Sequence, residues 1–306
     1  MNKRSIAHNA HAKGREKLLA HLAMLSFALL ISGSFSLGGI AAKFAPSASI
    51  NALRYILSVV VMWVVATQVM KVRITVPKEP WRYVILGLLM AIYMFTMFKA
   101  LEFTSPVATG AVFTLMPLIS AGFAWVLMRQ RTKPAVLLSL VVAAVGAIWV
   151  IFRGDIHAIL GFDVGRGEAI YFIGVICHAA YAPLLRLFGR GEPPIFVGFW
   201  AVAATGAWLM LPGIPALMHT DVTAFPAEVW LSIIYMAVAT TAITFMLLQY
   251  ASMRLPASKT LSYGYLTPSF IIVLEGFLGH GWVSLTIWIG ALLTALGLAI
   301  SGLLPD

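Results

Sequence analysis

Two groups of residues in this sequence can hold a solute, and both lie inside apolar stretches. The first is residues 256–278, PASKTLSYGYLTPSFIIVLEGFL, with a lysine, a glutamate, three serines, two threonines, two tyrosines and an internal proline. At 1.5 Å per residue this stretch reaches roughly 34 Å as a helix, enough to cross a bilayer. Polar side chains at that depth must face protein or a watery cavity. At about 100° per residue, Tyr265, Ser258, Ser269, Ser262, Lys259 and Tyr263 share one face, with Leu261, Gly264, Pro268 and Glu275 opposite. The first face reads as the wall of a solute pathway. Tyr263 lies one turn beyond Lys259, so a charged binder and an apolar clamp stand side by side.

The second group is aromatic. Tyr171, Gly174, His178 and Tyr181 fall on one face of a later apolar stretch. Tyr93 and Thr96, Trp200, and Tyr235 lie in three others and extend the same lining. Rings that carry hydroxyls suit partly apolar ligands such as amino acids. For any one of them packing or an interfacial belt is the ordinary role, and Trp81, Trp230 and Trp282 at stretch ends fit that belt.

Several charges have two readings. Lys259 either meets a substrate anion beside a helix N-terminus or snorkels to the interface. Arg54 is expected to tie helices together through carbonyls or one acid, with substrate contact as the other reading. Lys99 and Glu102 form a rim pair. Glu275 is a proton-coupling carboxylate or an outer-end pairing group. Because it lies off the pathway face, facilitated export is expected. The single cysteine, Cys177, excludes an intrachain disulfide, a cysteine-rich zinc site and an iron–sulfur cluster. No HExxH motif and no intramembrane aspartate pair is present, which speaks against a membrane-embedded enzyme. No cofactor or metal is called for.

The elements that position these residues follow from composition. Of 306 residues, 61% are hydrophobic and 10% charged, with mean hydropathy +0.93, against about 25% charged in soluble chains. The expected fold is an all-α polytopic membrane protein of ten transmembrane helices. Their spans are about 18–39, 47–70, 81–101, 106–128, 134–152, 167–187, 194–212, 226–250, 256–278 and 282–304. A basic tail, 1–17, precedes a first five-helix repeat, 18–152, and a second, 167–304. Ala100 and Ala251, Thr109 and Thr260, Pro117 and Pro268, and Gly146 and Gly297 match at one spacing of 151 residues. Internal repeats of this kind mark transporters, with binding at the repeat interface. Pro117 and Pro268 each kink a helix and serve as hinges or as fixed bends.

Five helices per half is odd, so the second half runs inverted. Fifteen basic residues fall in the segments on one side and three on the other, which places both termini in the cytoplasm. The net charge of +10 is thus explained by orientation, and no nucleic-acid partner is implied.

The ordered set ALEFTSPVATGAVFTLMP and ASMRLPASKTLSYGYLTP, then VGAIWV and LGLAIS, with NALRYILS around Arg54, resembles the EamA-type branch of the drug/metabolite transporter superfamily. Within it the chain is most similar to ten-helix amino-acid exporters, those for aromatic amino acids included. The resemblance covers residues 19–304. It implies alternating access through a central cavity between the repeats, export of amino acids and related metabolites, and a bacterial inner membrane. The partners it implies are a small-molecule substrate and the lipid bilayer; oligomeric state stays open, and a monomer suffices.

There are departures. The Gly-Glu pair that ends the kinked helix in many members is replaced by LMRQR and FLGHG. The first helix carries no charge between Leu22 and Ala42, which disfavours cation–proton antiport. Lys259 is followed by Thr260, not by the second cation of organophosphate and nucleotide-sugar exporters. Export of those solutes or of cationic drugs, and a channel, are the competing readings.

We expect a cysteine placed at Gly161, in a Cys177→Ala background, to react with an impermeant maleimide in intact cells. Protection there, with labelling of the N-terminal tail, would reverse the topology.

Overall fold

The computed structural model describes residues 14–129, 133–161, 163–255, 260 and 262–303. Among them the regular structure is helical, with no strand. The first half holds α1 (Gly14–Ala41), α2 (Ser47–Val64), α3 (Pro80–Leu101), α4 (Pro106–Phe113), α5 (Met116–Met128) and α6 (Pro134–Ile151). A short α7 (Ile156–Gly161) leads to α8 (Arg166–Phe188), α9 (Pro194–Met218), α10 (Ala227–Ala237), α11 (Thr244–Ser252), α12 (Thr267–Phe277) and α13 (Leu285–Leu303). Proline opens α3, α4, α6 and α9, where its missing N–H has no intrahelical acceptor to lose and its φ is already helical. Ser105 caps α4 by accepting the Ala108 N–H at 3.2 Å.

Among the described residues eight helical segments are long and apolar enough to span a membrane, and α13 carries a further apolar stretch over Leu285–Gly297. Outward faces carry the apolar side chains that lipid covers. Leu18, Leu22, Leu25 and Leu29 make one such stripe along α1.

The two prolines break their helices in the same way. Ahead of Pro117 the chain tightens to i→i+3 bonds, Thr114 N–H to Ala111 O and Leu115 N–H to Val112 O, both 3.1 Å. Ahead of Pro268, Tyr263–Leu266 is a 3₁₀ turn, and the Thr267 N–H bonds Gly264 O. A proline offers no N–H four residues on, so the preceding turn closes at shorter range. Among the described residues of 256–278, expected to be one regular helix, Thr260 and Ser262 are helical, Tyr263–Leu266 is a 3₁₀ turn and the eleven-residue α12 follows. The wheel drawn for it does not hold: Tyr265 is 1% exposed, packed with Leu140 and Ala143 of α6, and not on a pathway face.

Contacts recur at the 151-residue spacing. A Cβ on Gly146 would lie 2.6 Å from Gly290 O, and one on Gly297 would lie 2.9 Å from Ser139 O; adding 151 to Gly146 and Ser139 gives Gly297 and Gly290. Gly206 on α9 meets Tyr55 on α2, a pair the same shift maps onto itself. Most of the long contacts cross between halves: α3 along α8, α1 along α10 and α11, α2 along α9, and α6 along α13.

Polar side chains pin α3 and α8, antiparallel, at both ends. At one end Arg82, 4% exposed, bonds Phe188 O, Glu192 at 2.6 Å and Glu79 at 3.1 Å. At the other, Thr104 donates to Glu168 at 2.5 Å. Burial alone would raise the Glu192 carboxyl pKa, but bonds from Arg82 and the Arg190 N–H outweigh it and hold it below the ordinary range.

Two outcomes follow. We expect Gly146→Val to lower stability in detergent by about 1–3 kcal/mol through the α6–α13 clash. Gly122→Val, with nothing within 4 Å of its would-be Cβ, should stay near wild type. Glu192 is the depressed-pKa case: its stabilisation is present above its unfolded value of about 4.3 and lost as pH falls through the lower folded value. Thermal melts should show Glu192→Gln weaker at neutral pH, with the difference from wild type closing in acid.

Candidate solute-binding site

Gly174 lets α8 approach α3 until Tyr93 and Thr96 fill the space a Cβ would take. That close approach assembles an aromatic cluster from both halves. Tyr171 OH donates to Tyr93 OH at 3.1 Å. The His178 ring lies 4.3 Å from the Tyr93 ring, 6.2 Å from Phe113 of α4 and 6.3 Å from Tyr181. Phe35 of α1 stands edge-on to Phe113 and Tyr171. His178 Nδ1 is buried with no hydrogen-bond partner among the described residues. The expected residues Tyr93, His178 and Tyr181 thus share one site. Its faces are apolar, and His178 offers one unused polar atom for a ligand.

Beside the cluster lies Arg54 of α2, 3% exposed. Its guanidinium reaches Met94 Sδ at 3.3 Å and Thr240 Oγ1 at 3.4 Å, and lies over Tyr55 and Phe98. It was expected to bond carbonyls or an acid. Among the described residues it bonds neither. Asn51 and Ser58 share its helix face, three residues before and four after, and each has a buried oxygen without a hydrogen-bond partner among the described residues. Thr240 belongs to a π-helical segment, Val238–Ile243, between α10 and α11. Sequence reading named Arg54 but not this face, although NALRYILS shows the spacing. The missing counter-charge was not legible, because the neighbours that fail to supply it come from distant helices.

The structure does not bring every expected residue here. Tyr235 OH donates to Leu30 O at 2.8 Å and its ring end rests on Gly33, joining α10 to α1. Trp200 Nε1 donates to Thr75 O at 3.0 Å and packs with Phe199 near Met62 and Val65. Tyr263 OH lies 2.7 Å from His21 Nδ1, in a cluster with Ala20 and Met24 of α1. Ser262 is buried. Lys259 and Ser258 lie outside the described residues. Pro117 and Pro268 sit at the two helix breaks, each within two residues of the start of its following α-helix.

At the end of α3 where Thr104 meets Glu168 there is a cleft of about 440 Å³, bounded by Glu102, Arg153, Glu168 and Ile287 among others. Glu168, 4% exposed, is an acid that sequence reading passed over. Glu275, 8% exposed, lies 2.9 Å from Nδ1 of His280, five residues on. Among the described residues no three His, Cys, Asp or Glu side chains come together as a metal site.

Comparison with known proteins agrees with this architecture. The sequence pattern of the EamA-like transporter family matches residues 18–152 and again residues 165–303. A Bacillus subtilis (strain 168) protein described as "Uncharacterized transporter YyaM" is 25% identical over 289 residues, 93% of this chain and 94% of its own. A solved crystal structure superposes with a TM-score of 0.65 at 21% identity, covering 95% of this chain and 99% of that one; at that identity the likeness is one of fold. Two matches that together span nearly the whole chain make it a multi-pass membrane protein of the EamA-like transporter family.

Proposed function

We propose that this protein exports amino acids, aromatic and neutral ones among them, across a bacterial inner membrane. The two repeats, 18–152 and 167–304, run inverted and alternate access to a cavity between them, with both termini cytoplasmic. The observation that carries the reading is the ring cluster around Tyr93. It is built from helices of both halves, it is apolar on its faces, and it holds hydroxyls and an unused imidazole nitrogen at its edges. That composition suits a ligand with an apolar side chain and a polar head. Pro117 and Pro268 place matched bends where the two halves meet α1 and α8, positions where rocking of one half on the other is absorbed. Tyr263 and His21 close one end of α1 against the second half, and Ser258, Ser262 and Lys259 precede that contact in the chain.

One observation favours a second reading. Arg54 has no carboxylate partner among the described residues, which suits an anionic solute such as an organophosphate and disfavours a cationic drug. A phosphate dianion calls for more positive charge than the single guanidinium found at this site.

Counterflow in proteoliposomes against amino acids, sugar phosphates and organic cations tests the proposal. Amino acids should be exchanged. Tyr93→Ala should lower that exchange roughly ten- to hundredfold, as expected when one side of a clamp is lost. Trp125→Leu, on an exposed face, should not. Exchange confined to phosphates or cations, or a wild-type rate for folded Tyr93→Ala, would sink the reading.

A further inference from the structure

Among the described residues two arginines are buried, and they differ in one respect. Arg82 is neutralised: it holds Glu192, Glu79 and the Phe188 carbonyl. Arg54, equally buried, holds a thioether sulfur at 3.3 Å and a hydroxyl oxygen at 3.4 Å. Both of those partners are neutral, and the hydroxyl contact lies beyond the usual 2.7–3.2 Å of an N–H···O bond. The Thr240 hydroxyl proton is engaged by Met236 O at 2.9 Å, so Thr240 meets Arg54 as an acceptor. Among the described residues Arg54 Nε has no hydrogen-bond partner. A guanidinium has five N–H donors and stays charged in proteins. Buried without an anion, it is costly, and the cost is relieved when an anion arrives.

Asn51 supplies the complementary fault. Its Nδ2 donates to Ser47 O at 3.0 Å and to Met94 O at 3.4 Å, which fixes the amide's orientation. Its Oδ1 is then a buried acceptor with no donor among the described residues. Asn51 and Arg54 are three residues apart on α2, hence neighbours on one face, about 5–6 Å apart at Cβ. One unused donor array and one unused acceptor stand a single turn apart.

We propose that Arg54 and Asn51 form a head-group clamp for a zwitterion, Arg54 taking the α-carboxylate and Asn51 Oδ1 the α-ammonium of an amino acid. The assignment rests on the amino-acid reading above and adds to it the atoms that recognise the substrate. An amine lacking the carboxylate would leave the guanidinium unpaired and bring a second cation beside it. A carboxylate or phosphate lacking the ammonium would leave Asn51 Oδ1 unpaired. The clamp therefore selects zwitterions over both. Phe98 and Tyr93, on the helix that also supplies Met94, lie on the side where the substrate's apolar part would rest. Arg54 is 3% exposed, so entry needs the surrounding helices to part. The π-helical turn that carries Thr240 supplies a local irregularity for that movement, and such turns recur at functional sites.

The test uses purified full-length protein in liposomes. The probes are L-phenylalanine and L-leucine, each beside its decarboxylated amine and its deaminated acid. Wild type should exchange at least one of the amino acids, at least tenfold better than either of its truncated analogues. Arg54→Gln should weaken the amino acid roughly ten- to hundredfold, a loss of the size expected for a charge-assisted pair. Asn51→Leu should weaken it less and narrow the gap to the deaminated acid. Amines that compete as well as amino acids on wild type would overturn the clamp without any variant, so a misfolded Arg54→Gln leaves the test intact. A folded Arg54→Gln with wild-type exchange would overturn it too, while leaving amino-acid export standing. If wild type carries neither probe, the clamp fails; if no other amino acid is carried either, the transport reading fails with it.

Discussion

The contact on which the site depends is the antiparallel packing of α3 on α8. It joins the two halves of the chain, and it is pinned at both ends by polar bonds: Arg82 to Glu192 and Phe188 O at one, Thr104 to Glu168 at the other. Between the pins Gly174 removes the side chain that would hold the helices apart. Tyr171 and Tyr93 can then share a hydrogen bond, and His178 can lie against Tyr93. The aromatic cluster is therefore a consequence of a glycine at one position. A bulkier residue there would displace Thr96 and Tyr93, and with them the ring face that His178 uses.

Hydrocarbon sharpens the distinction between structural and functional polarity. A buried polar group in this environment is normally hydrogen-bonded within the protein. Most are here: Thr205, Thr244, Ser232 and Ser32 each donate back to a carbonyl of the preceding turn. Glu275 takes His280, and Arg82 takes two acids. Among the described residues, buried polar atoms without a hydrogen-bond partner also occur singly elsewhere, at Ser36, Tyr83 and Thr267 for example, but Asn51, Arg54 and Ser58 bring three of them onto one face of α2. That face lies next to the aromatic cluster.

The broad fold was legible because its signals are local. Apolar runs mark spans, proline marks breaks, and a repeat shows as a constant spacing. Pro117 and Pro268 do interrupt their helices, and Gly146 and Gly297 do meet equivalent partners. The wall expected on residues 256–278 was not legible for the same kind of reason. The wheel assumed α-helical phase through Tyr263 and Tyr265, whereas the turn before Pro268 is 3₁₀, and at about three residues per turn its side chains leave that phase. Tyr265 consequently points into α6. Tyr235 and Trp200 were grouped with Tyr93 by chemistry alone. Their hydroxyl and indole N–H are taken by Leu30 O and Thr75 O, carbonyls whose proximity only tertiary packing decides.

The repeat spacing gives a reason for the proposed head-group site to be single. Shifted by 151 residues, Asn51, Arg54 and Ser58 fall on Val202, Thr205 and Leu209. Tyr55 and Gly206 touch at the same spacing, so the correspondence holds for α2 and α9. In the second half the three positions are apolar or self-contained: Thr205 donates to Ala201 O at 2.7 Å, and Leu209 is 2% exposed. A symmetric pair of arginines would face each other across the α2–α9 contact, two buried like charges repelling in a medium of low dielectric. Confining the guanidinium to one half avoids that repulsion. It also breaks the symmetry of the proposed site, which would give a ligand whose two ends differ in charge one preferred orientation between halves that otherwise share their architecture.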